Sequence, residues 1–207
     1  MREIIKTGST VEEAIEMALE ELDLLSEDVS VEVLEEPGKG FLGLGGKEAK
    51  VKVVADKDPV FMAERFLTEL LSQMQIKSEV EIERESGQLY VEIIGEKHDD
   101  MGVIIGKRGD TLDAIQYLLS LIVNKGRDQY IRVLLDTENY REKRERTLID
   151  LANKMANKAV RRGRSVKLDP MNPYERRIIH SALQSFEGIS TYSVGDEPYR
   201  RVVIDIK

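Results

Sequence analysis

Two short spacings in this 207-residue chain bring together side chains that could do chemistry. The first is Gly106-Lys107-Arg108-Gly109. Paired glycines let a backbone approach a phosphodiester chain without Cβ obstruction. Amides that open a following helix can face the same phosphates, and Lys107 and Arg108 add positive charge. Ile104 and Ile105 before the loop, with Leu112 after it, are expected to border a narrow apolar groove. Unpaired bases are read in such grooves by stacking and edge hydrogen bonds. The bland alternative is a tight turn between helices with incidental basic residues. The second spacing is Arg176 and His180, i and i+4 on one helical face, which can meet one phosphate, or a phosphate and a base. Arg177, Arg200 and Arg201 would extend that patch. Strand alternation sends the last two to opposite faces, without saying which reaches nucleic acid. Tyr192 and Ser193 are weaker candidates, and Tyr174 reads as a core or capping residue. The alternative for Arg176 and His180 is a brace inside the domain, with His180 bonded to a backbone carbonyl, and the two roles can coexist.

Other chemistries find little support. Gly38-Lys39-Gly40-Phe41-Leu42-Gly43 matches G-x-G-x-x-G as a string, but a dinucleotide site needs a helix next, and a strand pattern follows. As an ATPase phosphate loop it also fails, because Glu48 follows Lys47 where Ser or Thr should hold magnesium. A glycine-rich β-connection is the better reading. There is no cysteine, which excludes disulfides, thiolate metal sites and a cysteine nucleophile. With only His98 and His180, multi-histidine metal sites are limited, and no metal, cofactor or catalytic residue is expected. Met1 to Lys6 lacks a secretion-type apolar stretch, and the longest nearly apolar run is far below the ~18 residues of a membrane helix. A cytoplasmic protein without direct membrane insertion is the expectation.

Charge is unevenly spread. The chain carries a net −8, with 7 basic against 14 acidic side chains in residues 1–57, but 15 against 10 in residues 137–207. A basic final third on an acidic chain suggests a surface that faces a polyanion.

The elements that would position these residues follow from periodicity. Residues 1–55 read as strand, helix, strand, glycine turn, strand, with overlapping capping boxes at Ser9/Glu12 and Thr10/Glu13. Val29, Val31 and Val33 alternate as in a half-buried strand. Some fifty residues make a marginal core, so this unit is expected to lean on a partner or a neighbour. Ala55 to Pro59 reads as a short linker. Residues 59–136 then give helix, two hairpin strands, a short helix, the glycine loop, a helix and a strand. In the last part a long helix ends at Gly163, and a second begins at Asn172-Pro173 and runs to Gly188. Two strands close the chain. The fold class is α+β, three small α/β modules in tandem, over residues 1–55, 59–136 and 137–207.

These residues carry a family resemblance. Residues 59–136 resemble a type II KH domain, whose G-x-x-G loop clamps single-stranded nucleic acid. Met171 to His180 resembles the Arg-x-x-x-His single-stranded nucleic-acid-binding domain, and Gly38 to Ala49 resembles the Jag N-terminal domain. In this order they identify a member of the Jag (SpoIIIJ-associated) family of bacterial RNA-binding proteins. The resemblance implies single-stranded RNA as ligand, with single-stranded DNA left open, and the small KH protein KhpA as partner. It also implies a chaperone or regulatory role in cell-envelope homeostasis and elongation, with a homodimer left open. The competing expectation is a protein-interaction adaptor at the membrane insertase. The KH-like segment is itself acidic, and Asp110 directly follows its loop, so the basic third module is expected to supply much of the attraction for RNA.

Overall fold

A computed structural model of the protein describes residues 2–38 and 47–207; the expected glycine-rich connection, Lys39 to Gly46, lies outside the described residues. Two compact units are present, Met1–Glu138 and Asn139–Lys207. Together they hold three α/β modules, each with its own three-stranded sheet.

The first module contains β1 (Glu3–Gly8), α1 (Val11–Leu22), β2 (Ser30–Glu35) and β3 (Ala49–Val54), with antiparallel order β1-β3-β2. Thr10 caps α1 by accepting the Glu13 N–H at 3.1 Å. The Glu13 carboxylate returns to the Ser9 N–H at 2.7 Å, so the two expected boxes merge into one. Ala14, Ala18 and Leu22 pack on Val29, Val51 and Val53. Val31 and Val33 depart from the alternation reading and are exposed, because α1 lies mainly over β1 and β3 and leaves the edge strand β2 uncovered.

The second module runs α2 (Pro59–Gln73), β4 (Ser78–Glu85), β5 (Gln88–Gly95), α3 (His98–Ile105), α4 (Asp110–Val123) and β6 (Arg132–Asp136). β4 and β5 form an antiparallel hairpin, and β5 pairs in parallel with β6, which requires the α3–α4 crossover between them. Leu89, Val91, Ile93, Val133 and Leu135 on the sheet are buried, as are Ala63, Leu67 and Leu71 on α2 and Leu112, Ile115, Leu119 and Val123 on α4.

The marginal first module does lean on its neighbour, through a buried carboxylate. Asp28, in a 3-10 turn before β2, is 0% exposed. Its Oδ2 accepts from Arg84 of β4 at 2.9 Å, and its Oδ1 accepts from Arg127 beyond α4 at 2.7 Å. Arg127 also donates to the Val123 carbonyl at 2.8 Å and to the Lys57 carbonyl. The segment expected to be a linker is therefore held along its length. Asp56 accepts from Ser30 at 3.0 Å, the Lys57 N–H donates to the Asp28 carbonyl at 3.1 Å, and Asp58 both caps α2 and pairs with Arg2 at 3.3 Å.

The second unit contains α5 (Tyr140–Arg162), β7 (Val166–Lys167), α6 (Pro173–Ala182), β8 (Ile189–Val194) and β9 (Arg201–Ile206), with antiparallel order β7-β9-β8. Leu148, Ala152, Ala156 and Ala159 of α5 share a core with Ile179, Leu183, Ile189, Val202 and Ile204. Gly163 ends α5 at φ 61°. The second helix is shorter than expected. It stops at Ala182 rather than Gly188, because Gln184 and Phe186 bond three residues back and the tighter turn brings Phe186 onto the core.

The clamp sets an expectation for stability. Burial alone would raise the Asp28 pKa, but the hydrogen bonds from Arg84, Arg127 and the Leu25 amide outweigh it and hold the carboxyl below its ordinary value. A depressed acid stabilises the fold above its unfolded pKa of about 4 and stops doing so as pH falls through the folded value. Asp28→Ala leaves the buried Arg127 guanidinium with only the more distant Glu27 carboxylate, at 3.7 Å, and is expected to cost about 3 kcal/mol. Urea unfolding should show the loss, with faster proteolysis between residues 55 and 59. An unchanged midpoint and cleavage rate would remove the clamp from the account.

Candidate nucleic-acid interface

The glycine loop is shaped by its own backbone. α3 is pinned by Met101 and Ile104, both buried, and ends at Gly106 with φ 70° and ψ −169°. A Cβ at Gly106 would strike the Thr111 hydroxyl and lie 2.7 Å from its Cβ and 3.1 Å from its amide nitrogen, so no side chain fits. One 3-10 turn follows, Lys107–Gly109, with Arg108 at φ 61° and a buried Gly109 at φ 88°. Gly109 is also the N-cap of α4, which receives no side-chain capping hydrogen bond. The Asp110 N–H is taken by the Lys107 carbonyl, and no side chain caps the amides that follow it, which face an anion near the loop. Lys107 is exposed and Arg108 half-buried.

The groove residues need correction. Ile104 and Leu112 are 0% exposed and form core, so neither presents surface to a base. Ile105 is half-buried and keeps a surface. Sequence reading missed Val103, which is exposed on α3 beside the loop. The signal was available, since burying residues 101 and 104 of one helix turns residue 103 outward. A second ridge, Tyr117, Leu118 and Leu121, stands exposed along α4.

In the other unit, α6 begins as its sequence dictates. Asn172 accepts the Glu175 N–H at 2.9 Å and Pro173 takes the first helical position. Arg176 and His180 do share a face, but that face meets β8 and the loop before β9. Arg176 is only 9% exposed; it donates to the Met171 carbonyl at 3.3 Å and pairs with Glu197. His180 places Nδ1 2.7 Å from the Thr191 hydroxyl and Nε2 3.0 Å from that of Ser193. These contacts make the pair brace α6 against β8 and the loop before β9. Hydroxyls, not the expected backbone carbonyl, hold the imidazole, and Ser193 is one of those partners. Burial first, and the Arg176 charge second, lower the His180 pKa.

The remaining candidates separate by exposure. Arg177 and Arg200 are exposed, whereas Arg201 is half-buried and donates to the Tyr199 carbonyl at 3.3 Å. Arg200 precedes β9, so alternation does not apply to it. Tyr174 is neither core nor cap: it is 63% exposed, and Asn172 does the capping. Tyr192 and Tyr199 are exposed as well. Among the described residues, no group of three or more His, Asp or Glu side chains could hold a metal ion, and no helix is long and apolar enough to cross a membrane.

Comparison with known proteins covers the same three modules. The Jag N-terminus model matches residues 6–55, and the KhpA/KhpB KH-domain model matches residues 61–134. The model of the Arg-x-x-x-His domain matches residues 146–205. The chain is 46% identical over 201 residues to RNA-binding protein KhpB of Clostridium symbiosum, covering 97% of this chain and 90% of that one. It is 39% identical over 210 residues to RNA-binding protein KhpB of Bacillus subtilis (strain 168), covering both chains fully. Similarity to RNA-binding protein KhpB of Lactiplantibacillus plantarum is 39% over 106 residues, 51% of this chain and 33% of that protein.

Two outcomes test this geometry. Gly106→Ala combines a Cβ clash with an unfavourable backbone and is expected to lower stability by about 1–3 kcal/mol in denaturant titration; a change within about 0.5 kcal/mol, the range of a surface substitution, would contradict the close approach. His180 is expected to titrate below the ordinary value of about 6.5 when its imidazole resonance is followed by NMR. Between the folded pKa and about 6.5 the unfolded chain binds more protons, so stability falls as pH drops through that window. A midpoint at or above about 6.5 would mean that the brace does not hold a neutral ring.

Proposed function

The chain belongs to the KhpB family, and on that premise we propose that it is a non-enzymatic binder of single-stranded RNA. The Gly106–Gly109 turn is the part that clamps the sugar-phosphate backbone. The observation that carries this reading is the backbone of the turn, with Gly106, Arg108 and Gly109 all at positive φ and the following helix α4 without a side-chain cap. A phosphate brought against it meets the amides opening α4 and the Lys107 ammonium, while Ile105 and Val103 offer apolar surface to the adjoining bases. Amide donors act only at contact distance. The acidic character of this module, with Asp110 and Asp113 in the first turn of α4, leaves long-range attraction to the basic third module. Two sites on one chain then act at high effective concentration.

Within this reading the protein is an RNA chaperone or post-transcriptional regulator, tied to cell-envelope homeostasis and elongation, with a small KH protein, KhpA, as partner. The Tyr117, Leu118 and Leu121 ridge on α4 supports a protein partner, since contiguous exposed apolar side chains mark interaction surfaces. The same ridge supports the second reading, an adaptor at the membrane insertase whose RNA binding is residual.

Lys107→Asp with Arg108→Asp separates the readings. Both backbone conformations tolerate aspartate, including φ 61° at Arg108. For an RNA clamp, affinity for a single-stranded oligonucleotide should fall at least about tenfold, with a salt slope flatter by about 0.7 per lost phosphate contact. Protein complexes should persist. If the parent shows negligible RNA affinity and the same complexes survive in both forms, the adaptor reading stands instead.

A further inference from the structure

The brace at Arg176 and His180 leaves the third module's positive charge to be accounted for elsewhere. Residues 151–168 contain Lys154, Lys158, Arg161, Arg162, Arg164 and Lys167 and not one carboxylate, in a chain with 39 acidic residues. The first four lie on α5, and Arg164 and Lys167 follow on the next turn and β7. Lys154, Lys158 and Arg161 stand at i, i+4 and i+7, which places them on one face, and Arg162 is one turn from Lys158. All six are exposed except Lys158, which is half-buried. Among the described residues none of the six has an acidic partner. The start of the same helix differs, since Arg144 pairs with Glu175 at 2.7 Å and Arg146 with Glu142.

Intramolecular physics does not explain the pattern. Cations in a last helical turn gain about 0.3–1 kcal/mol from the helix dipole, which covers Arg161 and Arg162. Lys154 lies two turns earlier, where that effect has faded, and like charges three or four residues apart cost roughly 0.2–0.5 kcal/mol per pair. The free protein thus holds a repulsive array that an external polyanion would relieve. A lipid surface fits poorly. The apolar face of α5 is buried in the module's core, and the cationic half offers only Val160 as an exposed apolar side chain. There is no aromatic residue between 151 and 168 to stack on bases. From Lys154 to Arg161 the face spans about 10 Å at 1.5 Å per residue, room for several consecutive phosphates.

We propose that the C-terminal half of α5, with Arg164 and Lys167 beyond it, is a second RNA-binding surface that holds the phosphodiester backbone without regard to sequence. It is distinct from the Arg176/His180 brace, and it rests on the reading of the chain as an RNA binder. Its role is attraction and positioning, while base contacts fall to the glycine-loop groove.

The test uses the full chain with Lys154→Gln, Arg161→Gln and Arg162→Gln together, all at exposed positions. Fluorescence anisotropy would follow two labelled single-stranded RNAs of unrelated sequence over a range of KCl concentrations. Affinity is expected to fall about tenfold or more, equally for both RNAs, and the salt slope to flatten by about 2 for three contacts. A control neutralising Lys6, Lys50 and Lys52 removes the same net charge from the first module and should stay within about twofold of the parent. Circular dichroism and melting should be unaltered in both variants. Parent-like affinity and slope in the triple variant would overturn the surface while leaving the loop clamp standing. Equal losses in variant and control would reduce the effect to net charge and also overturn it. Loss of binding to phosphatidylglycerol vesicles, with RNA binding intact, would assign the face to a membrane. A parent that binds neither RNA would end this proposal and the RNA-binding reading together.

Discussion

A carboxylate shut away from water between two guanidinium groups fixes how the first half of the chain is built. Asp28 has no exposed surface, and its oxygens are taken by Arg84 and Arg127. An ion so placed is costly unless its hydrogen bonds are met, and here the Leu25 amide adds a third donor at 3.2 Å. The arrangement specifies position more than it adds stability, because a carboxylate and two guanidinium forks tolerate little displacement. It also settles where the first module touches the second. Arg127 follows the C-terminal end of α4, whereas the glycine loop opens the N-terminal end of the same helix. Fourteen residues separate those ends, about 21 Å. The module with the smaller core is thus anchored at the end of α4 opposite the loop.

None of this was legible in the sequence, for a physical reason. Asp28 lies 56 residues from Arg84 and 99 from Arg127, and no period or local motif links them. Local rules served where the determinant was local. The apolar stripe of α1, the cap at Asn172, the stop at Gly163 and the order of elements around Gly106 are all written within a few residues of where they act. The same rules were weaker on depth. Spacing put Ile104, Ile105 and Leu112 around the loop, but only packing shows that the first and last of them belong to the core. Arg176 and His180 illustrate the limit most clearly. An i, i+4 spacing gives a shared face, and the strand that arrives against that face decides whether it meets solvent or Thr191, Ser193 and Glu197.

The burial of Arg176 also bears on how an acidic RNA-binding protein meets a polyanion. Groups that hold a shape and groups that supply a field have opposite requirements. A shape-holding group gains from low dielectric surroundings and complete hydrogen bonding, as Arg176, Glu175 and Asp28 have. A field-supplying group must stay exposed and unpaired, because a nearby carboxylate cancels it at distances beyond a few ångströms. In the third module these roles fall on different residues, with Arg176 paired inside and Lys154, Arg161 and Arg162 outside, without an acidic partner among the described residues. Residue type alone does not distinguish them, since arginine serves in both places.

The glycine loop meets the complementary problem at short range, with main-chain amides beside the two cations Lys107 and Arg108. Its donors are main-chain amides, directed by backbone angles that Gly106, Arg108 and Gly109 all take at positive φ. Such donors lose no side-chain entropy on binding and act only within hydrogen-bond reach. They suit a module whose helix begins with Asp110 and Asp113, where a strong field of either sign would be partly cancelled. On the proposed reading, selectivity for a threaded single strand follows from the shape of the bend, and strength of capture from cations carried elsewhere on the chain.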